Sequence, residues 1–90
     1  MNVAAAQTLA IRALGFMAAD ADLLGRFLAE TGLGPDELRA NADDPNLLAG
    51  VLDFLLGNEK ELVAFCEAEG IAPDRPRRAR ALLPGYMEPM

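Results

Sequence analysis

Apolar residues recur along this chain at helical spacing. In residues 3–18, polar or small groups keep to one stripe, Thr8, Arg12, Gly15 and Ala19, and almost everything else is apolar, the signature of a mostly buried helix. The next stretch sets Leu24, Phe27, Leu28 and Thr31 on one side and Asp22, Arg26 and Glu30 on the other, which predicts an amphipathic helix with Asp20 as its N-cap. Leu47, Leu48, Val51, Leu52 and Leu55 mark a third helix, with Asn46, Gly50, Asp53 and Gly57 as its solvent stripe. Leu62, Phe65, Cys66 and Glu69 mark a fourth at i, i+3, i+4, i+7. No stretch alternates with period two, so an all-α fold is expected.

The punctuation between these runs repeats. Gly32 supplies a left-handed stop for the second helix. Gly34 and Pro35 can serve as N-cap and first residue of a short helix, with Leu33 and Leu38 at the two positions of a hydrophobic staple. Asp44-Pro45 opens the third main helix, Gly57-Asn58 closes it and opens the fourth, and Gly70 ends that one as Gly32 ended its counterpart. Pro76 then fixes the start of a final short helix that runs through Ala79 to about Leu83, where Pro84-Gly85 stops it.

This recurrence has a fixed register. Laid over residues 47–77 at an offset of thirty-eight without gaps, residues 9–39 match at nine of thirty-one positions, among them Leu14 with Leu52, Phe16 with Phe54, Phe27 with Phe65, Gly32 with Gly70 and Pro35-Asp36 with Pro73-Asp74. The expectation is one domain over 1–85, a compact bundle of four main and two short helices built from two similar helical-hairpin units, about 3–40 and 41–78, with a frayed tail at 86–90. Chance similarity between two Leu-rich hairpins is the competing explanation.

Composition narrows the chemistry more than it names it. The chain has no histidine, serine or tryptophan and only one lysine, one cysteine and one tyrosine, so most nucleophile and general-base arrangements cannot be assembled. Cys66 lies on an apolar helix face, where an inert buried thiol is the expectation. The carboxylates at Asp43, Asp44, Glu59, Glu61, Glu67 and Glu69 lack the spacing of a calcium loop, and Asp44, Glu59 and Glu61 suit caps and first turns. No cofactor, metal or enzymatic activity is expected.

With fourteen acidic and eight basic side chains, the net charge is −6, which repels phosphate backbones. A helix-turn-helix reading of the Gly32 turn would bring Pro35-Asp36-Glu37 to the phosphates, so nucleic acid is an unfavoured partner. The amino terminus has no basic n-region and carries Arg12 in its apolar stretch, which argues against a signal peptide, and no run is long enough for a membrane helix. A cytoplasmic location is expected.

What remains points to binding. Arg75, Arg77, Arg78 and Arg80 are half of all the basic residues and fall within six positions. They read either as a docking patch or as partners for acidic groups on the second and fourth main helices. The equivalent pairs Asp36–Arg39 and Asp74–Arg77, at i, i+3, suit local ion pairs. Ile11, Phe16, Phe54 and Leu56 cannot all face inward together with their neighbours, so part of this set, Ile11, Phe54 and Leu56 above all, is expected to form an exposed apolar patch. The leading expectation is a non-enzymatic helical protein–protein interaction module that contacts a protein partner or a second copy of itself. The alternative is a small acidic regulator acting through charge on a nucleic-acid-associated partner.

The segments "LLGRFLAETGLGPDELRA" (23–40) and "LLAGVLDFLLGNEKELVAFCEAEGIAPDRPRRARALLPG" (47–85) carry Phe27, Thr31-Gly32-Leu33, Leu38-Arg39, Asp44-Pro45 and Asp53-Phe54-Leu55-Leu56. On these features the chain resembles a family of small alphaproteobacterial proteins described as a domain of unknown function. The resemblance implies a stand-alone, all-helical, cytoplasmic protein and assigns no residue to a site.

Overall fold

A computed structural model describes residues 1–85; the fraying expected for 86–90 lies outside the described residues. Six helices and no strand occur among them: α1 (Val3–Ala18), α2 (Ala21–Thr31), α3 (Pro35–Ala40), α4 (Pro45–Leu56), α5 (Glu59–Glu69) and α6 (Arg75–Ala81). The all-α bundle of four main and two short helices is what the periodicity predicts. None of the helices is long and apolar enough to cross a membrane.

The ends of the helices follow from local chemistry. Asp20 accepts bonds from the amides of Asp22 and Leu23, and Asp44 from that of Asn46 at 2.8 Å, so each carboxylate satisfies donors that a first turn leaves orphaned. Gly32 and Gly70 take φ of 74° and 66°, the left-handed conformation that lets a chain leave a helix without a Cβ clash. Gly57 closes α4 at a φ of −86°, without a left-handed turn. Asn58 makes no cap bond with its side chain; its Nδ2 donates to the Phe54 carbonyl at 2.7 Å, which holds the α4–α5 corner from the other side.

α1 and α4 pack against each other at the centre, and α6 packs against both. Ala6, Ala10 and Ala13 on α1 are fully buried opposite a Leu- and Val-rich face of α4 (Leu48, Val51, Leu52 and Leu55). Small side chains on one helix admit large ones from the other, which lets the two helices approach closely. α2 lies against α1 and α4, and α5 against α4. On α2 the innermost residues are Leu23 and Phe27, with Leu24 and Leu28 half-buried and Thr31 exposed. The apolar stripe is thus rotated toward Leu23 from the expected side, because α2 meets both α1 and α4.

The two halves correspond closely in their element ends. Counting on thirty-eight residues from Ala18, Ala21 and Thr31 arrives at Leu56, Glu59 and Glu69, the matching ends of α4 and α5. α1 is longer at its start, since Pro45 matches Gln7, and α6 begins at Arg75 where the start of α3 matches Pro73. The aromatic packing crosses between halves. Phe16 meets Phe65 edge-on at 5.5 Å, and Phe27 meets Phe54 edge-on at 5.6 Å. Exchanging the halves turns one pair into the other, as across a two-fold axis.

Candidate functional site

Among the described residues, a pair of grooves shares a common lining pattern. The first, of about 390 Å³, is lined by Ala5, Thr8, Leu9 and Arg12 of α1, Phe65 and Glu69 of α5, Ile71, and Arg75 at the first turn of α6. The second, of about 340 Å³, is lined by Phe27 and Thr31 of α2, Leu33, Asn41, Asp44, and Asn46, Leu47 and Gly50 around α4. At the offset of thirty-eight, Thr8 matches Asn46, Leu9 matches Leu47, Phe65 matches Phe27 and Ile71 matches Leu33. The grooves share one plan, an apolar floor made by a Leu, a buried Phe and a residue beyond a left-handed glycine.

They differ in charge. Arg12 stands in the first groove where Gly50 stands in the second, and Glu69 where Thr31 stands. Arg12 Nη1 bonds Glu69 Oε1 at 3.2 Å, an ion pair bridging α1 and α5. Arg75 adds a second guanidinium to the same rim. Among the described residues, no carboxylate lies within salt-bridge distance of Arg75, Arg77 or Lys60. The other five cations are engaged: Arg12 as above, Arg26 with Glu61 at 3.1 Å, Arg39 with Asp36 at 3.4 Å, Arg78 with Asp74 at 3.9 Å, and Arg80 with Asp53 at 2.6 Å.

The arginine cluster therefore divides. Arg75, Arg77 and Arg78 are exposed on α6, but Arg80 is only 7% exposed and is removed from the partner-contact set. Its Nε donates to Asp53 Oδ1, and its Nη1 donates to the carbonyls of Leu83 at 3.2 Å and Pro84 at 3.0 Å. The guanidinium fork ties the turn after α6 to α4, which is a structural task. The carboxylate partners also differ from expectation. Glu61 and Glu69 of α5 serve Arg26 and Arg12, while Asp53 of α4 serves Arg80. Asp74 pairs with Arg78 rather than Arg77, because α6 begins late and leaves Asp74 at its N-cap position, one turn before Arg78.

The expected apolar patch is also redrawn. Ile11 is 49% exposed, but Phe54 is only 7% exposed, sealed by the Phe27 ring and by the Arg26 guanidinium 5.7 Å from its centroid. Leu56 and Phe16 are half-buried. An exposed patch including Phe54 is thus absent, and a crossed aromatic contact, invisible in a helical wheel, is the reason. Cys66 is 3% exposed, and burial pushes its thiol pKa up, which suppresses the reactive thiolate. Among the described residues no cluster of three or more Asp, Glu, Cys or His side chains is arranged to hold a metal ion.

Helical periodicity gives no sign of the first groove, although the sequence carries a signal for it. Two departures from the matched stripes, Arg12 for Gly50 and Glu69 for Thr31, carry opposite charges and fall one on each half, which hints that they meet.

No curated protein and no solved structure matches the chain. The profile of one family, described as "Protein of unknown function (DUF3572)", matches residues 3–86. That span takes in all six helices, both grooves and the Arg80 tie, so the chain belongs to the DUF3572 family of proteins of unknown function.

Proposed function

We propose that this chain is a non-enzymatic helical interaction module that works in the bacterial cytoplasm and holds an acidic protein partner at its α6 end. The observation that carries the reading is the placement of unpaired cations. In a molecule of net charge −6, Arg75 and Arg77 stand exposed on one short helix with no carboxylate within salt-bridge distance among the described residues. An exposed charge gains little from a local partner, so leaving two unpaired on one short helix costs little and supplies positive charge for an acidic protein to meet. The sequence has no histidine or serine and a single cysteine, which supports a binding role. With Phe54 covered and Leu56 half-covered, self-association through α1 and α4 has less apolar surface to use, so the partner in this reading is a different protein. The matched helix ends and crossed rings support an origin by duplication of one hairpin unit.

The test is a photo-crosslinking residue placed at position 77 of the full-length protein in its source cells, followed by identification and purification of what it captures. Binding of the purified partner should weaken as salt rises and be lost in Arg77→Glu/Arg78→Glu, whose side chains are exposed and whose replacement leaves the fold intact. Capture of nothing, or affinity indifferent to both salt and charge reversal, rules the reading out.

A further inference from the structure

The first groove deepens the proposed interaction role by specifying what the partner inserts. We infer that it takes a short acidic segment of a partner protein, anchored by one apolar side chain with a carboxylate beside it. Leu9, Phe65 and Ile71 give the floor its apolar character, and Arg12 and Arg75 stand at the rim. The volume, about 390 Å³, lies at the small end of ligand-binding clefts, enough for an anchoring side chain and too little for a whole helix. A guanidinium presents a planar fork that suits a carboxylate in two-point contact. Arg75 is available for it, and Arg12 is held only by an ion pair whose arginine side chain is 66% exposed, the kind that solvent holds weakly and an incoming carboxylate can displace.

The second groove is a control within the same molecule. It repeats the apolar floor in Leu47, Phe27 and Leu33 but has Gly50 in place of Arg12, and Asp44 on its wall. An apolar anchor alone would suit either groove, and the acidic neighbour selects the first. The occupant is a protein segment because the cations extend beyond the groove along α6 to Arg78, one turn from Arg75 on the same side of the helix, which a small acid does not reach.

Random dodecapeptides displayed on phage are selected on the full-length protein, and the most enriched peptide is synthesised with a fluorophore for anisotropy. The sequences expected to emerge carry Asp or Glu within two residues of Leu, Ile, Met or Phe. Arg12→Gln/Arg75→Gln should weaken binding by roughly tenfold, and Thr8→Trp, which fills the groove from an exposed position, should abolish it. Asn46→Trp, its counterpart in the second groove, should leave it unchanged. Glu69→Gln should tighten binding by releasing Arg12, a gain that mere damage to the fold would not produce. Enrichment of nothing above bare plastic, of peptides without acidic residues, or of peptides blocked by Asn46→Trp overturns the inference. So does octanoate that competes with the peptide at equal affinity, since a small acid would then suffice. A partner captured at position 77 whose binding ignores Thr8→Trp leaves the module standing and removes this occupant, whereas failure of both experiments removes both.

Discussion

Phe65→Ala puts the packing to its hardest test. Phe65 is fully buried, meets Phe16 edge-on at 5.5 Å and forms part of the first groove's floor. Truncating a fully buried Phe costs about 3–5 kcal/mol from lost transfer energy and the cavity left behind. A chain of this length has a total stability of roughly 5–13 kcal/mol, so the loss is a large share of the whole. Urea titration followed by far-UV circular dichroism is the assay, because the sequence has no tryptophan to report by fluorescence. With a slope of about 1–1.5 kcal/mol per molar urea for so small a domain, the midpoint should fall by roughly 2–5 M. Phe27→Ala should match it, since Phe27 is equally buried and meets Phe54 edge-on. The milder Phe16→Leu and Phe65→Leu allow a double-mutant cycle, and their coupling should be about 0.5–1.5 kcal/mol. Phe16 and Phe27, whose rings do not meet among the described residues, should couple by less than about 0.5 kcal/mol. A midpoint shift below about 0.5 M for either alanine variant, or equal coupling in the two cycles, refutes the crossed packing.

Other consequences can be measured on the same protein. Arg80→Met should cost about 2–3 kcal/mol in urea titration, because a buried charge-assisted tie to Asp53 and the Leu83 and Pro84 carbonyls is lost, whereas Arg78→Ala should stay within about 0.5 kcal/mol. Gly32→Ala and Gly70→Ala should each cost about 1 kcal/mol by the same assay; neither new Cβ would meet any atom, so the strain of a positive φ is the whole effect. Cys66 should react with iodoacetamide far more slowly in native protein than in urea, as mass spectrometry will show. Its thiol stays protonated in the fold at pH values where an exposed thiol ionises, so stability should be undiminished below the ordinary value of 9.0 and fall as pH rises past it; the Cys66→Ala variant should lose that pH dependence.

Features set by neighbours in sequence are legible in the sequence itself. Asp20, Gly32, Pro35, Asp44-Pro45 and Gly70 each act through backbone atoms within a turn, and each appears where local geometry places it. Features set by neighbours in space are not. A helical wheel gives Phe54 no reason to be buried, because its cover is a ring from α2 and a guanidinium from the same helix. Arg80 resembles Arg75, Arg77 and Arg78 in composition, yet Asp53 of a distant helix and two carbonyls just ahead draw it inside. The candidate groove depends on Arg12 and Glu69 meeting across fifty-seven residues, and only the comparison of the two halves, in which both positions depart from the repeat, points toward it.

The most direct test of the account is a footprint of the captured partner on isotope-labelled full-length protein, read as amide chemical-shift changes. Binding should move Leu9, Phe65, Ile71 and Arg75 and leave their counterparts Leu47, Phe27 and Leu33 in place. Changes centred on the second groove, or on neither, would contradict it.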